Sequence, residues 1–440
     1  MTVQHWLASV AAAPAPAAAD DRERAAAAIR DLIGVALIGS TSPAIAKVAR
    51  HIRDVGGNGP ALLLGLQGTT DPVSSALYNG SAAQAFDFDD IAPSCVSHVS
   101  AIMTPAFVAL LDRMDPDAAI NGYVTGLTVI DRLAEAFTHE VYDRGIQPTH
   151  TMGPIGAVTG LLAALGADER TAEAAFGLAA TQLIGLRDHT GTSYKPVQTG
   201  MVAAAAVRAV LLATEGIEAG TSSIDVVMRL LGITDEQLQA LARPGELQPV
   251  PLAPKWYPSC GAAHTAIEST IALRDRFAGG AGDAPADLVV TSPPSVMEAL
   301  RYDDPANPDE ARFSMHYCVA AAWRTGALTP ADFSPEAIRR DDVRAQLARV
   351  RVVVDDALSP PPTWSGFPAI VKVDVDGQVD EERTERPRGY PERPLSDAEL
   401  TSKFVACATP VLGAYQAERA SERLSGAPAA LSNLIEAVSL

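Results

Sequence analysis

Apolar residues recur at helical spacing over 21–39 and again over 42–55, with Gly39 closing the first run and Ser42 opening the second, which predicts two antiparallel helices. The period continues through 71–86, 99–114, 118–137, 155–165, 171–186 and 197–215 with short polar connections, and no alternating strand interrupts it. Small residues dominate 153–166 (GPIGAVTGLLAALG) and 201–210 (MVAAAAVRAV), which lets neighbouring backbones approach closely and places both helices centrally. The texture changes at the Pro-rich PVPLAPKWYPSC (249–260), which leads into a predicted helix at 262–277 and a Gly-rich linker at 279–285. Beyond it, ADLVVT (286–291) and VRVVV (350–354) read as strands, and IVKVDV, DG and QVDEERTE read as a hairpin. From Ser396, with Asp397 and Glu399 behind it, helical periodicity returns and is expected to pack back on the first array. The pattern thus predicts a helical array, then a small α+β domain, then returning helices.

At 440 residues the chain is expected to form two domains. Apolar residues make up 48% and aromatics only 5%, so the hydrophobicity comes mainly from Ala, Leu, Val and Ile, as in closely packed helices. Lys and Arg number 34 against 53 Asp and Glu, a formal charge of −19, which repels nucleic acid and anionic lipid where no basic patch offsets it. An anionic substrate would then need a few cations focused in one cleft, which makes the position of each lysine informative. Cys95, Cys260, Cys318 and Cys407 lie far apart without CxxC spacing, an argument for free thiols and against a disulfide framework or zinc knuckle. The Ala/Pro-rich stretch 7–19 meets Asp20 and Asp21 without a basic flank, so no signal peptide is expected, nor any apolar run able to span a membrane. Cytoplasmic residence is the expectation.

The most informative segment is AFDFDDIAPSCVSHVSAIMTP (85–105), in which Asp87, Asp89 and Asp90 precede His98 just before a new helix. Such acids often form a solvated turn or a cap, but Phe86 and Phe88 flank them and suggest carboxylates held beside a core. A carboxylate paired with an imidazole fixes its tautomer and raises its basicity, as proton abstraction requires. Metal ligation ranks behind proton transfer and a purely structural role, because the spacing is not that of a standard metal motif.

The segment resembles the MmgE/PrpD family pattern of small residues, DFDD and a following His. Five further segments agree in order and spacing: THTMGPIGAV from Thr149, GTSYKPVQTG from Gly191, KWYPSCGAAHTAIE from Lys255, ARFSMHYCVAAA from Ala311 and RGYPERPLSDAELTSKF from Arg388. The resemblance implies a mainly α protein, with a large all-helical domain from 1–254 and 396–440 and a smaller α+β lid domain from 255–395. It also implies a homodimer, an active site between the domains, a small carboxylic acid substrate and no metal or organic cofactor. Family members act as 2-methylcitrate dehydratase, cis-aconitate decarboxylase or iminodisuccinate epimerase. The chain is accordingly expected to be a lyase of the dehydratase type, with an epimerase or isomerase, a decarboxylase, or a non-catalytic binding protein as alternatives.

Carried over position by position, Asp87 and His98 resemble the acid and imidazole of the family site, and Lys195 its lysine. Lys195 lies between two glycines, where a cation can meet a substrate carboxylate; as an ordinary lysine it would be a solvated loop residue. Lys255 is a candidate for a second carboxylate. Tyr317 matches the tyrosine of the lid motif and is a candidate acid, or else a half-buried core residue. Cys260 and His264 lie four apart at a predicted helix start, where the dipole would lower a thiol pKa. Gln147 stands where the family usually has a His and cannot act as a base, while His150 three residues on is a candidate for the same space. Ile91 replaces a common Thr and Gln198 a frequent His, which suggests fewer substrate carboxylates or an alkyl arm. Arg187, with Asp188 and His189, is a candidate compensating cluster. The expected mechanism has Asp87 orient His98 as base, the lysines hold the acid, and Tyr317 or His150 protonate a leaving hydroxyl.

Overall fold

The computed structural model describes residues 1–136, 139–277, 285–358 and 367–438. The chain is mainly α, and its buried apolar side chains form two large cores. The larger gathers helices from Val3 to Val250 and then Phe404 to Val438, so the tail does pack on the first array. At its centre the helices Pro116–Ala134 and Thr149–Leu165 cross so closely that a Cβ on Gly126 would overlap the Gly156 carbonyl, which is why small residues dominate 153–166.

Predicted helices recur as Ala19–Gly39, Pro43–Val55, Pro72–Gln84, Ser100–Ala109, Glu169–Ala180 and Tyr194–Thr214. The first two meet at 89° rather than antiparallel, the second turning away to pack against Pro72–Gln84. A helix over Val3–Ala12 was not read from the Ala/Pro-rich start; Thr2 caps it, and its Val3, Trp6, Leu7 and Ala11 are buried. The helix Tyr194–Thr214 is, against expectation, long and apolar enough to cross a membrane, yet 67% of that apolar window is buried inside the protein, the signature of a core helix.

The smaller core covers Tyr257 to Val375, joined by Tyr142, and is built on a four-stranded sheet. Its order is Val350–Val354, Asp287–Ser292, Ala369–Val375, Gln378–Thr384, the first pair parallel and the others antiparallel. The hairpin turns on Asp376 and Gly377, both at positive φ, as a two-residue turn of this kind requires. Helices His264–Arg276 and Met315–Thr325 cover one face. Most of the linker read at 279–285 lies outside the described residues. Ser396 forms the expected capping box with Glu399, starting Asp397–Leu412, whose Phe404 returns to the larger core. Within that helix Lys403 Nζ donates to Asp31 at 2.8 Å and to the Phe88 carbonyl at 3.0 Å, tying the chain end to the acidic segment.

Candidate active site

The acidic segment leaves Pro72–Gln84 and runs irregularly to Ser100–Ala109, between the two cores. Asp87 takes φ 51°, a left-handed conformation that Asp tolerates better than most residues. Lys195 Nζ donates to Asp87 Oδ1 at 2.6 Å. Lys255 Nζ donates to Oδ2 at 3.0 Å and to the Asp87 carbonyl at 2.8 Å. Lys195 is not in a loop but in the first turn of Tyr194–Thr214, where the helix dipole disfavours a cation and the carboxylate offsets it. Burial pushes Asp87 up, but Lys195 and Lys255 outweigh it and hold the carboxyl well below the usual carboxylate range. Burial likewise opposes the charge of Lys255, and Asp87 and Asp89 reverse that and raise its pKa. Asp87 and Lys255 are therefore charged at neutral pH in a site nearly closed to water.

His98 is held by Asp89 rather than by Asp87, which corrects the expectation. Its Nδ1 lies 2.8 Å from Asp89 Oδ2, its backbone N–H donates to Thr149 Oγ1 at 3.0 Å, and its Nε2 stands 4.0 Å from Asp87 Oδ1. Asp87, two residues earlier, is turned to the lysines, while Phe88 between the acids packs with Val35, Ile38 and Cys407. An ionised carboxylate only accepts, so Nδ1 carries the proton and Nε2 the lone pair. Burial lowers the His98 pKa, Asp89 opposes that, and the two lysines lower it further. The result is a neutral imidazole of one tautomer, suited to accept a proton.

These groups line a cavity of about 60 Å³ together with Ile91, Gln147 and Cys260. A cavity of about 1170 Å³ lies elsewhere, between Phe86, Trp256, Arg312 and the 326–335 segment. The smaller one is the candidate site because the base, the lysines and the carboxylate converge only there. Gln147 donates to Thr149 Oγ1 at 3.4 Å and Ile91 pairs through its backbone with Ala253. Cys260 is pushed up to about 11, with burial the main cause and Asp87 adding to it; these outweigh the backbone N–H of Ala262 and so reverse the lowering expected at a helix start.

The remaining candidates lie outside the cavity lining. His150 is packed against Gly185 and bonded through Nε2 to Thr199 Oγ1 at 3.1 Å; burial takes it down to about 3, so it does not fill the place of the His replaced by Gln147. His264 Nε2 donates to the Ser259 carbonyl at 3.3 Å, its ring edge-on to Tyr257, and burial lowers it to about 3 as well. Tyr317 donates its hydroxyl to the Asp332 carbonyl and packs on Phe333, with its pKa raised by burial; one helical turn from Ser314 carries it into the smaller core. Arg187 stacks 3.4 Å above the Tyr142 ring, donates to the Tyr142 carbonyl at 2.7 Å and stands 3.6 Å from Glu298, so it braces the wall rather than facing the cavity.

Reading the sequence missed the role of Asp89 and the lining residues Tyr142, Glu298, Arg301 and Phe313. Phe313, whose ring lies 5.2 Å from Lys195 Nζ, is in the same motif as Tyr317 and was hidden by it. Asp87, Asp89 and His98 also bring potential metal-ligand atoms within 4.8 Å of one another. Both Asp87 oxygens, however, are bonded to ammonium groups, and a metal ion there would face two cations at contact distance. That donor set suits an anion beside the lysines.

The MmgE/PrpD N-terminal domain model matches residues 3–237 and the MmgE/PrpD C-terminal domain model matches residues 257–425. The chain is similar to cis-aconitate decarboxylase of Mus musculus, 24% identical over 403 residues, covering 87% of this chain and 82% of that protein. It is similar to the Homo sapiens enzyme of that name at 23% over 411 residues, covering 89% and 84%. A cis-aconitate decarboxylase-like protein, oryM, of Aspergillus oryzae is 24% identical over 445 residues, covering 92% and 90%.

Proposed function

The chain belongs to the MmgE/PrpD family, and from that premise we propose that it is a cofactor-independent lyase that moves a proton at the carbon next to a carboxylate of a small organic acid. The observation that carries this reading is the fixed, neutral His98, its Nε2 unprotonated beside two lysines that share one carboxylate. A substrate carboxylate at Lys195 and Lys255 acidifies its α C–H, because negative charge developing on the carboxylate side is met by fixed ammonium groups. His98 Nε2 takes that proton, and the imidazolium is stabilised by Asp89. With a hydroxyl on the neighbouring carbon, the C–H pair becomes the double bond and the hydroxyl leaves with the proton returned by His98, so that water is released. Without a leaving group the same proton returns to carbon, and the outcome is epimerisation or isomerisation. Tyr317 and His150 are not needed as acids, which fits their burial elsewhere.

The names of the relatives favour a second reading, decarboxylation. Loss of carbon dioxide leaves a carbanion that must gain a proton, and a neutral His98 starts in the wrong state to give one, so proton abstraction is preferred. Proton NMR in heavy water with 2-methylcitrate, citrate, cis-aconitate and substituted succinates separates the outcomes. Vinyl signals report dehydration, deuterium entry without net conversion reports epimerisation, and carbon dioxide release reports decarboxylation. His98→Gln is expected to abolish the reaction in a folded protein; an unchanged rate refutes the role given to His98.

A further inference from the structure

We propose that this site selects an acid with one anchored carboxylate and a short hydrocarbon arm, and that Ile91 and Val96 form the wall that selects the arm. The inference rests on the reading above for where the carboxylate lies, and it names the substrate class.

Charge around the cavity sets the first limit. Lys195, Lys255 and Arg301 face Asp87 and Glu298, with His98 neutral, and behind that lining Asp89 at His98 and Arg187 at Glu298 cancel, so one net positive charge is available to an incoming anion. The hydrogen-bond supply agrees with that. An ammonium has three donors; Lys195 uses one on Asp87 Oδ1, and Lys255 uses two on the Asp87 carbonyl and Oδ2. The three that remain suffice for one carboxylate. A tricarboxylate such as cis-aconitate would bring two further charges into a nearly closed space without matching cations, and unpaired buried charge is strongly disfavoured.

The rest of the lining supplies the second limit. Ile91, Val96, Ala262, Ala299, Phe313 and Phe367 present apolar surface to the cavity. Ile91 Cδ1 would lie 3.8 Å from a Cβ on Gly261, close to the Lys255 stem, which puts its methyl beside the anchor. Val96 gives an independent sign, because it holds φ 47°, a conformation that Gly takes freely and that a β-branched residue takes only under strain. Strain of this sort persists where the side chain has a use. The Val96 side chain leaves its own loop to pack on the smaller core and lines the cavity, so it forms part of its wall.

The test uses three unreactive acids of one carbon skeleton: tricarballylate, 3-methylglutarate and 3-methylpentanoate, in which carboxylates are replaced by methyl groups one at a time. Affinity is measured by calorimetric titration of the full-length protein. Each replacement is expected to tighten binding about fourfold or more, the contribution of about one buried methyl group. Tricarballylate binding as tightly as 3-methylpentanoate would overturn the proposal. Val96→Thr keeps the shape and adds a hydroxyl, Ile91→Thr adds a hydroxyl and also removes the Cδ1 methyl beside the anchor, and each is expected to shrink the preference by about fourfold or more. A preference unchanged in both variants, with circular dichroism and thermal unfolding like the parent, removes the wall from selection. The exchange assay run beside it keeps the two readings apart. Turnover of acids with a preference for tricarballylate keeps the lyase and sinks this inference, whereas the expected order of affinities with no C–H exchange on any acid keeps the inference and sinks the lyase.

Discussion

Asp89→Asn changes the one contact that fits His98 for its proposed role as a base while leaving size and burial in place. Asp89 Oδ2 accepts from Nδ1 at 2.8 Å with the carboxylate side chain at 0% exposure, so the bond is charge-assisted and shielded from water. A hydrogen bond to a charged group contributes about 1.5–3 kcal/mol and a neutral one about 0.5–1.5 kcal/mol, so the imidazolium loses about 1–1.5 kcal/mol of stabilisation. That lowers the His98 pKa further, in the direction burial already takes it. Any step that forms the imidazolium then slows about tenfold. If the Asn amide N–H turns toward Nδ1, the proton moves to Nε2 and the loss approaches the ~10⁴-fold that tautomer inversion causes in a Ser-His-Asp triad. Imidazole nitrogen NMR on histidine-labelled protein reads the tautomer without a substrate, and deuterium exchange into the substrate reads the rate. The reasoning is refuted if His98 in the parent is protonated on Nε2 rather than Nδ1. It is equally refuted if the folded variant retains both the parent tautomer and, within about twofold, the parent rate.

Three other perturbations follow from the same region. Lys403→Met leaves Asp31 buried without its ammonium and is expected to cost about 3–5 kcal/mol in urea unfolding, with much of that restored by adding Asp31→Asn; equal losses in single and double variants contradict the pair. Asp90, which accepts from Ser100 Oγ at 2.7 Å, is pushed up to about 7 mainly by burial. It keeps a proton in the fold that the unfolded chain loses near pH 4, so parent stability falls as pH rises from about 4 to about 7. Asp90→Asn should gain on the parent across that window by up to about 1.4 kcal/mol per pH unit and hold a constant lead above it, read from thermal unfolding at stepped pH; a flat difference removes the assignment. Cys260, at about 11, is expected to react with iodoacetamide at pH 7.5 far more slowly than a free cysteine in the same buffer, and rapid labelling of Cys260 by mass spectrometry would contradict a neutral thiol.

The helices were legible because period and caps are local: Gly39, Ser396 with Glu399, and the small residues of 153–166 each determine their surroundings over a few residues. The 89° corner after Gly39 was not, since the direction a helix leaves a short connection depends on what it packs against. The site was legible in its residue types and less so in its pairings. Lys195 and Lys255 are 108 and 168 residues from Asp87, and nothing local says that one carboxylate would serve both. Tyr317 was misplaced for the opposite reason, because the phase of the helix begun at Ser314 turns it to the core and leaves Phe313, just outside the helix, at the cavity.

Two aspartates of one short loop thus hold different tasks, and the difference has measurable consequences. Asp87 is the shared counter-ion of the two lysines proposed to hold the substrate carboxylate; Asp89 bonds to neither lysine and in the proposed mechanism acts through the imidazole. In Asp87→Asn, two buried ammonium groups lose their common anion, and either one sheds its proton or a bound carboxylate takes over the neutralising role. A substrate or unreactive acid should therefore stabilise Asp87→Asn more than it stabilises the parent, while Asp89→Asn should gain no more from it than the parent does. The kinetic split follows the same logic. Loss of Asp87 acts on the anchor and is felt first in KM, whereas loss of Asp89 acts on proton transfer and is felt in kcat. Thermal unfolding with and without 3-methylpentanoate, set beside both kinetic constants, decides it: if the two variants respond alike, the division of labour between Asp87 and Asp89 is wrong.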